Sequence, residues 1–95
     1  MKPQALKFKA VVLRENHGYS SLCLDLDVAS QGNTRAQAKR MLREAVVLYL
    51  ETAIGSNLPY LRPIPPSENP LLTSPANVLE TFDLKISVRL VADAA

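Results

Sequence analysis

From Leu6 to Leu13 the chain alternates, with Leu6, Phe8, Ala10 and Val12 on one side and Lys7, Lys9, Val11 and Leu13 on the other. A period of two predicts a strand. Its second half is apolar on both sides, so that part is expected to be covered on both faces. Glu15-Asn16-His17-Gly18 predicts a turn, with Gly18 free to take positive φ. Tyr19 to Leu26 predicts the returning strand of a hairpin over residues 6–26. The chain bends where Asp25 and Asp27 flank Leu26, and Val28 to Gln31 predicts a short third strand.

At Thr34 the period changes from two to 3.6. Ala38, Leu42, Ala45, Tyr49 and Ala53 recur at spacings of three and four, and Met41, Val46 and Leu50 widen the stripe. This predicts an amphipathic helix lying on the sheet. Thr34 and Gln37 form a capping box: the threonine hydroxyl accepts from the Gln37 amide, and the Gln37 side chain reaches back to the Thr34 amide. Gly55 is the predicted left-handed stop. At ~1.5 Å per residue such a helix is about 30 Å long, enough to cross a small sheet.

Past Gly55 the composition shifts. Pro59, Pro63, Pro65, Pro66, Pro70 and Pro75 predict a stiff, extended connection over 56–80, with neither a regular helix nor a central strand. Phe82, Leu84, Ile86, Val88 and Leu90 then alternate with Asp83, Lys85, Ser87 and Arg89, a final strand over 81–91 with one buried face. The order β-β-β-α-β predicts an α+β domain over 1–95, in which one long helix covers one face of a mostly antiparallel sheet of three to four strands. The other face, with Val11 and Leu13, has no second helix. This favours a homo-oligomer, a dimer or tetramer, packed sheet to sheet or edge to edge.

Composition narrows the function. A chain of 95 residues with 47% hydrophobic and 21% charged positions is that of a globular protein. The net charge of +2 and aromatic content of 5% do not mark a nucleic-acid binder. One cysteine, Cys23, excludes an internal disulfide and a cysteine-based zinc site, and fits a reduced, cytoplasmic location. No long apolar run follows Met1-Lys2-Pro3-Gln4, so neither a secretory signal nor a membrane span is expected.

In one order, Gly18-Tyr19-Ser20, Cys23-Leu24-Asp25-Leu26, Ser30-Gln31-Gly32-Asn33-Thr34 and the helix with Ala38, Glu44-Ala45 and Leu48-Tyr49-Leu50-Glu51 resemble the HicB family of antitoxins. The resemblance implies a partial RNase H-like fold and a protein that binds and masks a small RNA-cleaving toxin of the HicA type. It also implies that the bend at Asp25, Asp27 and Val28 faces the toxin. The family pattern has a proline before the aspartate and a proline-glycine after it, where this chain has Leu24 and Asp27-Val28, so the bend is expected to differ in shape. Full-length antitoxins add a C-terminal DNA-binding module. The sequence ends at Ala95, and direct DNA binding is not expected.

The remaining candidates are charges. Arg35, Lys39, Arg40 and Arg43 cluster in the first half of the helix, where cations oppose the macrodipole and Arg35/Lys39 and Lys39/Arg43 are like-charged at i, i+4. A pattern that breaks a local rule points to an anion or an acidic partner, against the plainer reading of a tolerated solvated face. Asp25 and Asp27 on one strand face could hold a divalent metal, but a metal nuclease needs further carboxylates converging there. We expect no metal, cofactor or catalytic residue. His17 reads as a surface turn residue, and Cys23 as a small buried apolar group. The competing reading is a stand-alone oligomeric scaffold or regulator with no toxin. It is favoured by the basic charge, since a mask for a basic RNA-binding toxin is expected to be acidic.

Overall fold

The fold follows from two changes of period, at Gly32 and at Val78. The computed structural model describes residues 5–87. Strands β1 (Ala5–Glu15), β2 (Gly18–Cys23) and β3 (Val28–Gly32) precede the helix α1 (Arg35–Gly55), and a final strand β4 (Val78–Ser87) closes the sheet. The four strands are antiparallel in the order β3-β2-β1-β4. The expected α+β arrangement, one long helix on one face of an antiparallel sheet, is the one found.

Register explains which residues meet. Ala10 lies opposite Cys23 and Phe82, Phe8 opposite Leu84, and Leu6 opposite Ile86. These share a face with the buried helix positions Leu42, Val46 and Leu50, and together they form the core. The helix stripe is Ala38, Leu42, Val46, Leu50 and Ala53. Its axis is therefore turned from the sequence expectation. Met41 is exposed, while Ala45 and Tyr49 lie half-buried at its margin. On the opposite sheet face Val11 is nonetheless fully buried within the chain. Apart from Ala5 at the start of β1, what stays exposed on that side of β1 and β4 is charged or polar, including Lys7, Lys9, Thr81, Asp83 and Lys85.

The helix starts where the cap predicts. Thr34 Oγ1 accepts the Gln37 amide at 3.0 Å, and Gln37 Oε1 accepts the Asn33 amide at 2.6 Å, one residue upstream of the expected Thr34 donor. Close approach fixes the rest of the junction. Gly18 has φ +141°, as the hairpin turn requires, and a Cβ there would stand 2.8 Å from the Gly32 carbonyl oxygen. A Cβ on Gly32 would stand 2.5 Å from the Ala38 nitrogen. Ser21 Oγ, almost fully buried, donates to the Ala38 carbonyl at 2.8 Å and ties β2 to the same turn.

Several boundaries differ from expectation. Gly55 is not the left-handed stop. α1 runs through it, and the left-handed residue is Asn57 with φ 57°, two positions on. Asparagine tolerates this region because its short side chain bonds locally. The second strand ends at Cys23 instead of Leu26, because Leu24–Asp27 turn, with Asp27 at φ 54°. The connection is not extended throughout. It carries short helical turns at Pro66–Glu68, Pro70–Thr73 and Pro75–Asn77, each with proline in its first positions, where the missing N–H costs nothing. β4 begins at Val78 instead of residue 81. The expected continuation through Val88 and Leu90 lies outside the described residues.

Candidate partner-binding surface

The bend after β2 is built by its own polar groups. Asp25 Oδ2 accepts the Lys9 backbone amide at 2.7 Å, and the Leu24 amide donates to the Lys9 carbonyl at 2.8 Å. Asp25 is thus spent on holding the bend against β1. Asp27 is exposed and Val28 half-buried beside it.

The proline-rich connection runs back along this bend. The Arg62 and Ile64 amides donate to the Asp25 and Leu24 carbonyls, each at 3.0 Å. Arg62 adds its side chain: Nε reaches the Leu26 carbonyl at 3.1 Å and Nη2 the Asp27 carbonyl at 3.2 Å. Its guanidinium lies over the Tyr49 ring, 5.0 Å from the centroid, and the Tyr49 hydroxyl donates to the Tyr60 carbonyl at 2.6 Å. Phe8 and Tyr60 meet edge to face with centroids 6.4 Å apart. One arginine therefore joins the bend, the connection and the helix.

Beside Arg62 the chain leaves a shallow groove of about 320 Å³, lined by Tyr49, Thr52, Ala53, Leu58, Pro59 and Leu61 as well. Leu58 is 58% exposed and Leu61 64%. Leu48, one helical turn before Thr52, is 63% exposed. Leu58 and Leu61, both exposed in the lining of one concavity, form an apolar surface of the kind that proteins use for partners. The sequence reading did not single out this groove. Its residues come from two segments that only the left-handed turn at Asn57 brings together.

The basic candidates separate. Lys39 is engaged inside the chain: Nζ is 2.5 Å from Glu80 Oε2 and 4.8 Å from the centroid of the Phe82 ring. The macrodipole cost at that position is offset by an acidic partner from β4. Arg35, Arg40 and Arg43 are exposed. Among the described residues no group of three or more His, Cys, Asp or Glu side chains could hold a metal ion.

At the other end of the hairpin Glu15, His17, Tyr19, Gln31, Gly32 and Asn33 line a cleft of about 400 Å³. It brings together one imidazole, one carboxylate and one phenol, from His17, Glu15 and Tyr19. Cys23 is fully exposed to the core and not to solvent, and burial pushes its thiol up from 9.0 to about 11. At neutral pH it is a protonated packing group. Among the described residues no helix is long and apolar enough to cross a membrane.

No family model matches the chain, and no curated protein matches it either. Among solved structures, the chain is similar to one from a structure described as "HicA3 and HicB3 toxin-antitoxin complex", with a TM-score of 0.59 and 18% identity. The match covers 82% of this chain and 94% of that one. At this identity the likeness is one of fold.

Proposed function

We propose that this chain is a non-catalytic HicB-like, antitoxin-type protein that binds and masks a small HicA-type RNA-cleaving toxin. The observation that carries the proposal is the shared fold, extending over most of both chains, with a component of a toxin-antitoxin complex. The antitoxin role, as opposed to that of the toxin, rests on the HicB-like run from about Phe8 to Glu51, which spans most of β1, then β2, β3 and most of α1. The contact surface we assign is the Leu58 and Leu61 groove together with the adjoining bend at Asp27 and Val28. It offers an exposed apolar centre with a polar rim, the usual anatomy of an interface.

The test is titration of the purified chain against a small basic protein encoded beside it, followed by an RNA-cleavage assay. A saturable complex that suppresses cleavage is the expected result. No heat and no co-elution at micromolar concentrations, with cleavage unaffected, refutes the proposal. The second reading, a stand-alone oligomeric HicB-like scaffold or regulator, is favoured by the net charge of +2 and the exposed Arg35, Arg40 and Arg43, which suit an acidic partner better than a basic toxin.

A further inference from the structure

β4 is ten residues long and lies at the edge of the sheet, with β1 on one side and no described strand on the other. A long open edge is a template for another strand, and proteins ordinarily blunt it with charges of one sign, proline or bulges. In β4 the one break in register lies near its start, opposite Val12 and Leu13, and leaves Glu80 to Ser87 regularly paired. Asp83 and Lys85 lie on the sheet face away from the helix, two residues apart and of opposite sign, and both are exposed. Phe82, Leu84 and Ile86 lie on the helix face.

We infer that a second copy of this chain adds its β4 antiparallel to this edge, with the two-fold axis at Leu84. That register sets Asp83 of each copy opposite Lys85 of the other, twice over, and sets Phe82 opposite Ile86 and Leu84 opposite Leu84. The neighbouring two-fold registers do not. Centred on Asp83, the strand opposes aspartate to aspartate; centred on Lys85, lysine to lysine; centred on Phe82, it sets Asp83 opposite Thr81 and Glu80 opposite Leu84. Registers centred between residues oppose polar side chains to apolar ones. The strand is therefore self-complementary in one alignment.

A second feature points the same way. Within the chain, Lys85 lies directly opposite Lys7 in the β1–β4 register, a like-charge pair that destabilises a sheet. Asp83 of the partner strand would supply the missing negative charge on the other side of Lys85. Asp83 itself already has Lys9 at 3.4 Å on its β1 side. Across the two-fold the row would read Lys9, Asp83, Lys85, Lys7. Backbone ladder bonds supply affinity in such strand addition, and the side-chain row supplies register. The exposed side of β1 and β4 is charged, so stacking two sheets face to face would bury those charges, whereas edge addition leaves them solvated. The inference does not rest on the toxin reading.

Sedimentation equilibrium on the full chain across micromolar concentrations tests it. The wild-type chain is expected to dimerise. Lys85→Asp places aspartates opposite each other at two symmetric sites and is expected to weaken the dimer about tenfold. It also removes the Lys7–Lys85 repulsion, so the fold stays intact, with a urea midpoint unchanged or raised. Asp83→Lys is expected to weaken the dimer similarly, and the charge swap Asp83→Lys/Lys85→Asp to restore it. A wild-type chain that sediments as a monomer throughout overturns the inference and leaves the edge to a strand from another protein. A dimer indifferent to Lys85→Asp overturns it too, because the copies then meet through another surface.

Discussion

Replacing Arg62 by methionine isolates what the guanidinium does. Methionine keeps an apolar stem against Tyr49 and leaves the backbone bond from residue 62 to the Asp25 carbonyl in place. It deletes the two side-chain bonds to the Leu26 and Asp27 carbonyls, at 3.1 and 3.2 Å. Leu26 is fully buried, so water reaches its carbonyl poorly, and losing that partner costs about 1 kcal/mol or slightly more. The Asp27 carbonyl sits at an exposed residue and rehydrates, for about 0.5 kcal/mol. The ring contact is worth about 0.5 kcal/mol at an exposed site. The sum is about 2 kcal/mol, against a total stability of about 5–14 kcal/mol for a chain of this size.

Urea unfolding followed by circular dichroism measures the total, and amide hydrogen exchange locates it. Protection at Ile64 is expected to fall more than protection in the Phe8–Val12 core, because the connection detaches from the bend before the sheet opens. Arg62→Lys is expected to lose about half as much, since an ammonium keeps the charge but cannot bridge two carbonyls with a planar fork. A loss under about 0.5 kcal/mol for methionine, with Ile64 protection unchanged, would show that the backbone bonds alone hold the connection and that Arg62 is a surface residue.

Two further outcomes test the junction and the core. Gly32→Ala forces a Cβ to 2.5 Å from the Ala38 nitrogen and 2.9 Å from the Gln37 carbonyl carbon, which are backbone atoms that cannot rotate away. A loss of about 1–3 kcal/mol is expected in urea unfolding, at least matching the ~1 kcal/mol expected when the cap is removed by Thr34→Ala. For Cys23 the thiol is pushed up to about 11 by burial, above its ordinary 9.0. The folded state then holds the proton more tightly than the unfolded state, so this contribution is full below pH 9 and is lost as pH rises toward 11. The difference in stability between the wild-type chain and Cys23→Ala should therefore shrink or reverse across that window. A constant difference would contradict burial of the thiol.

Local signals were readable in proportion to how local their causes are. The strand at Leu6 to Leu13, the turn at Gly18 and the cap at Thr34 each depend on a few consecutive residues, and each appears where the pattern puts it. The helix stripe was located but rotated. Met41 and Val46 are both apolar, and only the position of the sheet decides which one is buried. The apolar groove was invisible for the same reason, since Tyr49 and Leu61 come from separate segments. Lys39 looked like one more surface cation because Glu80, which neutralises it, lies forty-one residues away.

The spacing of prolines in the connection carries pairing information beyond the stiffness it implies. Prolines at 63 and 65 leave the N–H groups of residues 62 and 64 as the donors between them, and an extended chain sends alternate residues to opposite sides. The two remaining donors therefore point the same way. In the structure both point at the bend, toward the Asp25 and Leu24 carbonyls, while Pro63 and Pro65 face solvent. Proline at alternate positions is the mark of an edge that pairs on one side only. The Arg-Pro-Ile-Pro run is better understood as a half-strand seeking carbonyls than as a spacer. Arg62 sits at the one place where its side chain can reach past the backbone bonds to the next carbonyls of the turn. If the bend meets a partner, the connection is what gives it a fixed shape to present, and a chain with Pro63 and Pro65 both replaced by alanine should hold that shape less firmly. Two more donors would then compete on the solvent side, and the unfolded chain would be less restricted.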